Sequence, residues 1–262
     1  MGLRRKVKTT LQIGTYRQGE KWQFLWFDEQ KQPHFTIKNT NIPFNQSDLP
    51  QQSSKSGMHK WITCLPNQYV WSKTIALTQK LNEQECQQQC HLIIENELPT
   101  EFDDIWYDYQ YSESAQGSKL SIYVVKQQMA KDYVTQFSPL KITILDCLTN
   151  SLLRAFRYFH NKQEKMETLY LYQDSNGSIA IQENGQQTLI LQKTDKNLTA
   201  LYQQFCHRFN CQPQQVYCYC EGNNTQYTNN EWNIIKTELP FIALGNALWG
   251  ECDNQGTEVK EQ

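Results

Sequence analysis

The pattern of this 262-residue sequence reads as one set of elements written twice. In the first half, residues 9–15 (TTLQIGT) alternate as a strand entering a glycine turn. Residues 21–29 (KWQFLWFDE) and 34–39 (HFTIKN) follow across hairpin-length turns and complete an antiparallel meander. The Ser/Gln/Pro-rich stretch 42–58 reads as a surface loop. HKWITCLP and QYVWSKTIAL give two further strands, and 81–97 has helical spacing. That helix stops before Pro99, because the residue preceding a proline disfavours the helical region. Strands at 105–112 and 120–126 pair across an Ala-Gln-Gly turn, and a helix follows at 126–137. An apolar strand at 141–146 then leads to an amphipathic helix at 149–160, N-capped by Thr149 or Asn150. The second half opens with a hairpin, TLYLYQ–DSNG–SIAIQENG, whose Asn176-Gly177 is a strong turn signal. A strand at 188–193, a helix at 196–210, a strand at 215–222 and a short apolar helix at 240–250 complete it. The polar tail, 251–262, is expected to be disordered.

Composition narrows the function classes. Mean hydropathy is −0.71, and no run approaches the roughly 20 apolar residues of a membrane span. The basic start, MGLRRKVK, is followed by strand-like alternation and not by the apolar core of a secretory signal, so a cytosolic location is expected. A net charge of −2 supplies no global basic field, which argues against nucleic-acid binding as the main role. Arg4, Arg5, Lys6 and Lys8 form a short solvated basic arm.

Charge is concentrated locally. From Leu81 to Tyr109 the chain carries eight carboxylates (Glu83, Glu85, Glu95, Glu97, Glu101, Asp103, Asp104, Asp108) and no Lys or Arg. Flanked by so many glutamines, they read as a solvated face, suited to docking more than to acid–base chemistry. No P-loop, HExxH, GxSxG or GxGxxG is present, and the five histidines are scattered, so no catalytic residue is assigned. The nine cysteines read as small buried apolar residues. Neither Cys86-x3-Cys90-His91 nor the group Cys206, His207, Cys211, Cys218 and Cys220 has the paired spacing of a structural zinc site, and no metal is expected.

The doubled βββαβα order is similar to the actin-like ATPase fold. Three segments resemble one branch of it, the PilM family of cytoplasmic type IV pilus assembly proteins, and most closely its short ComA- and HofM-type competence members. LNEQECQQQCHLIIENELPTEFDDIWYDYQ resembles the family's helix, proline turn and strand ending in Asp-Tyr. FSPLKITILDCLTNSLLRAF resembles its strand-Asp-helix element, with Asp146 at the aspartate. FIALGNALWG resembles its terminal helix, with Ala243, Gly245 and Leu248. The resemblance implies a mixed α/β, degenerate actin-like fold. Its first lobe would be residues 1–165, with an inserted subdomain at about 65–137, and its shortened second lobe residues 166–250.

Against that family the nucleotide motifs depart. Phosphates are held there by backbone N–H groups of glycine turns, with carboxylates near the metal. The first turn reads Gln12-Ile13-Gly14-Thr15, with Gln in place of the metal-side Asp. The second, Tyr172 to Gly177, reads as an ordinary hairpin, and the adenosine-side turn is Glu221-Gly222-Asn223. Leu191 passes almost directly to the helix at 196, without the segment of the second-lobe lid. Gly14, Thr15, Gly177 and Gly222 are the remnants of a nucleotide site; no cofactor and no ATP hydrolysis are expected.

The resemblance implies a scaffold at the inner face of the inner membrane, docking the N-terminal peptide of a PilN-like bitopic protein in a groove beside the inserted subdomain. Glu95, Glu97, Asp103, Trp106 and Tyr109 are the candidate partner-binding residues, since an acidic, aromatic lining suits a basic peptide. The alternative is a nucleotide-binding switch of the actin-like superfamily.

Overall fold

A computed structural model describes residues 10–41, 59–114, 117–160, 167–183, 187–223 and 231–250. The basic arm, the 42–58 loop and the 251–262 tail lie outside the described residues. The chain runs β1 (Leu11–Gln18), β2 (Lys21–Phe27), β3 (Pro33–Asn39), β4 (His59–Leu65), β5 (Trp71–Leu77), α1 (Glu83–Glu97), β6 (Ile105–Ser114), β7 (Gly117–Lys126), α2 (Gln127–Thr135), β8 (Ile142–Cys147) and α3 (Leu148–Phe159). It continues through β9 (Thr168–Asp174), β10 (Gly177–Glu183), β11 (Thr188–Lys193), α4 (Leu198–Phe209), β12 (Gln215–Cys220), β13 (Asn233–Ile235) and α5 (Phe241–Ala247). Two compact units result: residues 1–66, 130–155 and 239–252, and residues 67–129, 156–238 and 253–262.

Two five-stranded sheets repeat one plan, β3-β2-β1-β4-β8 and β11-β10-β9-β12-β13. In each, an antiparallel meander is extended by two strands parallel to its first. The doubling in the sequence is therefore the architecture. One member was not anticipated. β13 is three residues long, too short to show a period, yet it closes the second sheet as β8 closes the first.

In the first unit, both faces of the sheet are covered. One face gathers Leu11, Ile13, Phe24, Trp61, Phe137 and Leu140, with Trp22, Trp26 and Tyr133 packed against them. Trp22 meets Phe137 edge-on at 5.4 Å between ring centres, the geometry aromatic quadrupoles favour. The other face takes α5 against β1, β2 and β4. This helix, the last in sequence, thus lies on the first sheet. Small residues permit the approach: a Cβ on Gly14 would fall 2.0 Å from the Ala243 carbonyl oxygen and 2.3 Å from the Ala247 nitrogen. α5 crosses α3 equally closely, since a Cβ on Gly245 would fall 1.8 Å from the Ser151 carbonyl oxygen.

In the second unit, α4 lays Leu198, Leu201 and Phe205 on Leu169, Leu171, Ala180, Leu191, Val216 and Cys218 of the five-stranded sheet. Asn197 caps α4, its side chain accepting from the Ala200 N–H at 2.9 Å. The third sheet, β5-β7-β6, is covered on one face by α1, whose Cys86, Cys90 and Ile94 meet Ile105, Leu120, Ile122 and Val124.

Two local expectations are corrected. β1 does not turn at Gly14; it pairs with β2 through Thr15↔Phe24 to Gln18↔Lys21, and Gly19 makes the turn at φ +55°. Thr149 and Asn150 do not cap α3, which starts at Leu148 and includes both. Asp146 serves that end instead, its Oδ1 accepting from the Cys147 N–H at 2.7 Å and from Asn150 Nδ2 at 3.2 Å.

The Gly245 crossing yields a measurable expectation. Gly245→Ala forces α3 and α5 apart and costs about 2–4 kcal/mol, read as a lower urea midpoint with an unchanged slope.

Candidate functional site

The acidic segment is built from α1 and β6. A capping box starts the helix: the Asn82 side chain accepts from the Glu85 N–H at 3.0 Å, and Glu85 accepts from the Asn82 N–H at 2.7 Å. Glu83 and Glu85 sit in its first turn, where carboxylates oppose the positive end of the helix dipole. Glu97 pairs with Lys73, and Glu113 with Lys80. Several acidic residues are therefore explained by helix and sheet assembly. Glu95 remains exposed and lines an open surface cavity of about 500 Å³ with Gln84, Gln87, Gln88, His91 and Leu92. The cavity wall is held from below, because His91 stacks on Phe102 at 4.6 Å and hydrogen-bonds the Tyr107 hydroxyl at 2.8 Å.

The five residues proposed for docking do not share one surface. Strand alternation puts Ile105, Tyr107, Tyr109 and Tyr111 on the α1 side of the small sheet, and Tyr109 is half-buried there. Trp106 and Asp108 project from the opposite side of that sheet, where Trp106 is 45% exposed. Asp103 lies in the 3-10 turn that leads into β6, with its carbonyl oxygen held by Gln127 Nε2 at 2.9 Å. Glu95 and Glu97 belong to α1. Trp106, Asp108 and the exposed Asp103 form the part that opens away from the helix core.

The glycine turns are occupied by the chain's own groups. Gly14 and Thr15 are buried within β1, with the Cβ direction of Gly14 filled by α5. Gln12 Nε2 donates to the carbonyl oxygens of Ala247 at 2.6 Å and Trp249 at 2.8 Å, capping the C-terminus of α5. An aspartate there has no proton to donate to those carbonyls. In the second unit, Asp174 Oδ1 accepts from the Asn176 N–H at 2.7 Å and the Gly177 N–H at 3.2 Å, and its other oxygen accepts from the Tyr172 hydroxyl at 3.2 Å. A Cβ on Gly177 would fall 2.2 Å from the Lys193 carbonyl oxygen. Glu221 Oε2 accepts from the Ser175 N–H at 3.1 Å, which brings the turns of Gly177 and Gly222 together. Gly222 takes the left-handed conformation, φ 71°, in open space.

The first unit also holds a buried polar cluster. Arg154 pairs with Asp146, donates through Nε to the Gly245 carbonyl oxygen at 2.7 Å and reaches Ser151 Oγ at 3.3 Å. Ser151 Oγ donates to Asn246 Oδ1, and Asn246 Nδ2 donates to the Thr15 carbonyl oxygen at 2.9 Å. Cys64 lies beside Asn246 with its thiol pushed up to about 12 by burial. The cluster binds α3, α5, β1 and β8 to one another.

No family model matches the chain, and no curated protein matches it in sequence. Solved structures do. That of a PilM–PilN type IV pilus biogenesis complex matches over 93% of this chain and 96% of its own, with a TM-score of 0.59 at 11% identity. The cytoplasmic domain of EpsL, an inner-membrane component of the type II secretion system of Vibrio cholerae, matches over 92% and 98%, with a TM-score of 0.56 at 11% identity. The chain has the PilM fold. The mixed α/β architecture with one unit repeated, expected from the sequence, is the one found, as two five-stranded sheets of one plan.

Within this PilM fold, sequence reading singled out Asp146 but missed Arg154, Ser151 and Asn246. The signal for Arg154 was present: an arginine sits on the buried stripe of an amphipathic helix, beside Leu152, Leu153, Ala155 and Phe156. Asn246, fully buried within FIALGNALWG, was the second such signal. Arg154→Met leaves the Asp146 carboxylate without its counter-charge in a site where both side chains are 10% exposed. A loss of about 3–5 kcal/mol in chemical denaturation is expected, partly restored by adding Asp146→Asn.

Proposed function

We propose that this protein is a cytoplasmic scaffold of a type IV pilus or related secretion platform, acting in competence DNA uptake. It docks the cytoplasmic N-terminal peptide of a PilN-like bitopic inner-membrane protein. The observation that carries this reading is the likeness of fold, over nearly the whole of both chains, to a chain of a solved PilM–PilN type IV pilus biogenesis complex. Among the described residues no helix is long and apolar enough to cross a membrane. In this reading the partner holds the protein at the inner face of the inner membrane.

The carboxylates of Asp103 and Asp108, with the exposed Trp106 between them in sequence, supply an acidic rim and an aromatic anchor for a basic, extended segment. The scaffold works without ATP hydrolysis. Two observations support this: the turn N–H groups of Asn176, Gly177 and Ser175 are taken by Asp174 and Glu221, and Gln12 is committed to α5.

Fluorescence anisotropy with the labelled N-terminal peptide of the neighbouring membrane protein tests the docking. Micromolar affinity that weakens with salt is expected, with a loss of about ten-fold on combining Asp103→Lys and Asp108→Lys. No binding at high micromolar peptide sinks the reading. A separate thermal-shift titration with Mg-ATP checks the nucleotide side: the melting curve stays flat at millimolar ligand. A stabilisation of about 2.7 kcal/mol, the value for ligand at a hundred times its dissociation constant, restores the nucleotide switch.

A further inference from the structure

The C-terminal end of α4 carries a feature that neither the fold nor the docking surface uses. Asn210 ends the helix in the left-handed conformation, φ 49° and ψ 50°, and turns the chain back on itself. The Cys211 N–H then donates to the Cys206 carbonyl oxygen at 3.2 Å. This six-to-one reversal brings the side chains of Cys206 and Cys211 to the same end of α4, with Cys211 packed against the core there.

Five of the other described cysteines are buried. Cys218 and Cys220 share one face of β12, but both are buried in the core of the five-stranded sheet. Cys86 and Cys90 are buried beneath α1, and Cys64 is buried beside Asn246. Cys147 is half-buried at the end of β8. Cys206 and Cys211 are both half-buried and are drawn together by the backbone bond between them.

We infer that Cys206 and Cys211 form a thiol–disulfide exchange site that takes low-molecular-weight disulfides as its oxidant. The Cys206 thiolate attacks one sulfur of the oxidant RS–SR, giving a mixed disulfide on Cys206 and releasing RS⁻. Cys211 then gives its proton to solvent and attacks the Cys206 sulfur, expelling the second RS⁻. The balance is two protein thiols and one RS–SR in, one protein disulfide and two RSH out. Cys211 suits the resolving role because it packs against the core, where burial first and the Cys206 thiol second push its own thiol up. The product staples the last turn of α4 to the strand-bound chain that follows it.

Thiol mapping on the full chain is the test. The native protein is held with oxidised glutathione in mildly alkaline buffer, blocked with N-ethylmaleimide and digested with trypsin without reduction. Cleavage after Arg208 separates the two cysteines, so a peptide pair joined through them reports the bond directly. The expected result is the loss of two free thiols and this cross-link ahead of any other, while the guanidinium-unfolded chain gives scattered mixed disulfides. Cys211→Ser halts the reaction at a mixed disulfide on Cys206. A native chain in which these two thiols stay reduced while others oxidise overturns the inference. So does a cross-link that forms no faster in the native chain than in the unfolded one. The wild-type chain carries the deciding measurement, so the result stands even if the serine variant fails to fold.

Discussion

The first unit depends on the backbone-to-backbone approach of α5 to β1. Gly14, Ala243 and Ala247 are small enough to let helix and strand meet at a distance that any larger side chain forbids. Once there, the helix is fixed by polar contacts at its C-terminal end. Asn246 reaches the Thr15 carbonyl oxygen, and Gln12 supplies two donors to the helix C-terminus. Burial of these amides is tolerated because each donor has its acceptor. The same seat fixes α3, through the Gly245 crossing and the Arg154 bond to the Gly245 carbonyl oxygen, and α3 in turn brings Arg154 to Asp146. Gly14 and Thr15, read from the sequence as remnants of a phosphate turn, are parts of this seat.

Much of the architecture was legible because it is periodic. Alternation in KWQFLWF and TLYLYQD, helical spacing in α1 and α4, and Asn176-Gly177 at a hairpin are local signals with local causes. What escaped is non-local. The Gln12 bond to Ala247 joins residues 235 positions apart, and no window of sequence shows it. β13 escaped because three residues in a parallel edge strand have no period to read. Trp106 and Tyr109, two of the five candidate docking residues, lie on opposite faces of β6, because residues three apart oppose each other across a strand. Only the register of β6 on β7 decides which of them faces α1.

The acidic segment shows how one composition serves several ends. Glu85 completes a cap, Glu97 and Glu113 neutralise lysines of or beside β5, and Asp108 accepts from the neighbouring Tyr109 N–H. Exposed ion pairs of this kind add little stability, so their contribution is to orientation. Glu95 and Asp103 are left as a field on the solvent side of a rigid helix-on-sheet layer.

The seating of α5 on β1 also sets an order of events in the cell. β1 leaves the ribosome more than two hundred residues ahead of the helix that covers it. Until then the apolar face around Gly14, Ile62 and Leu25 has no native cover. The sheet must therefore wait, unfinished, for α5 to emerge, a high-contact-order arrangement that folds slowly and favours chaperone capture in the interval.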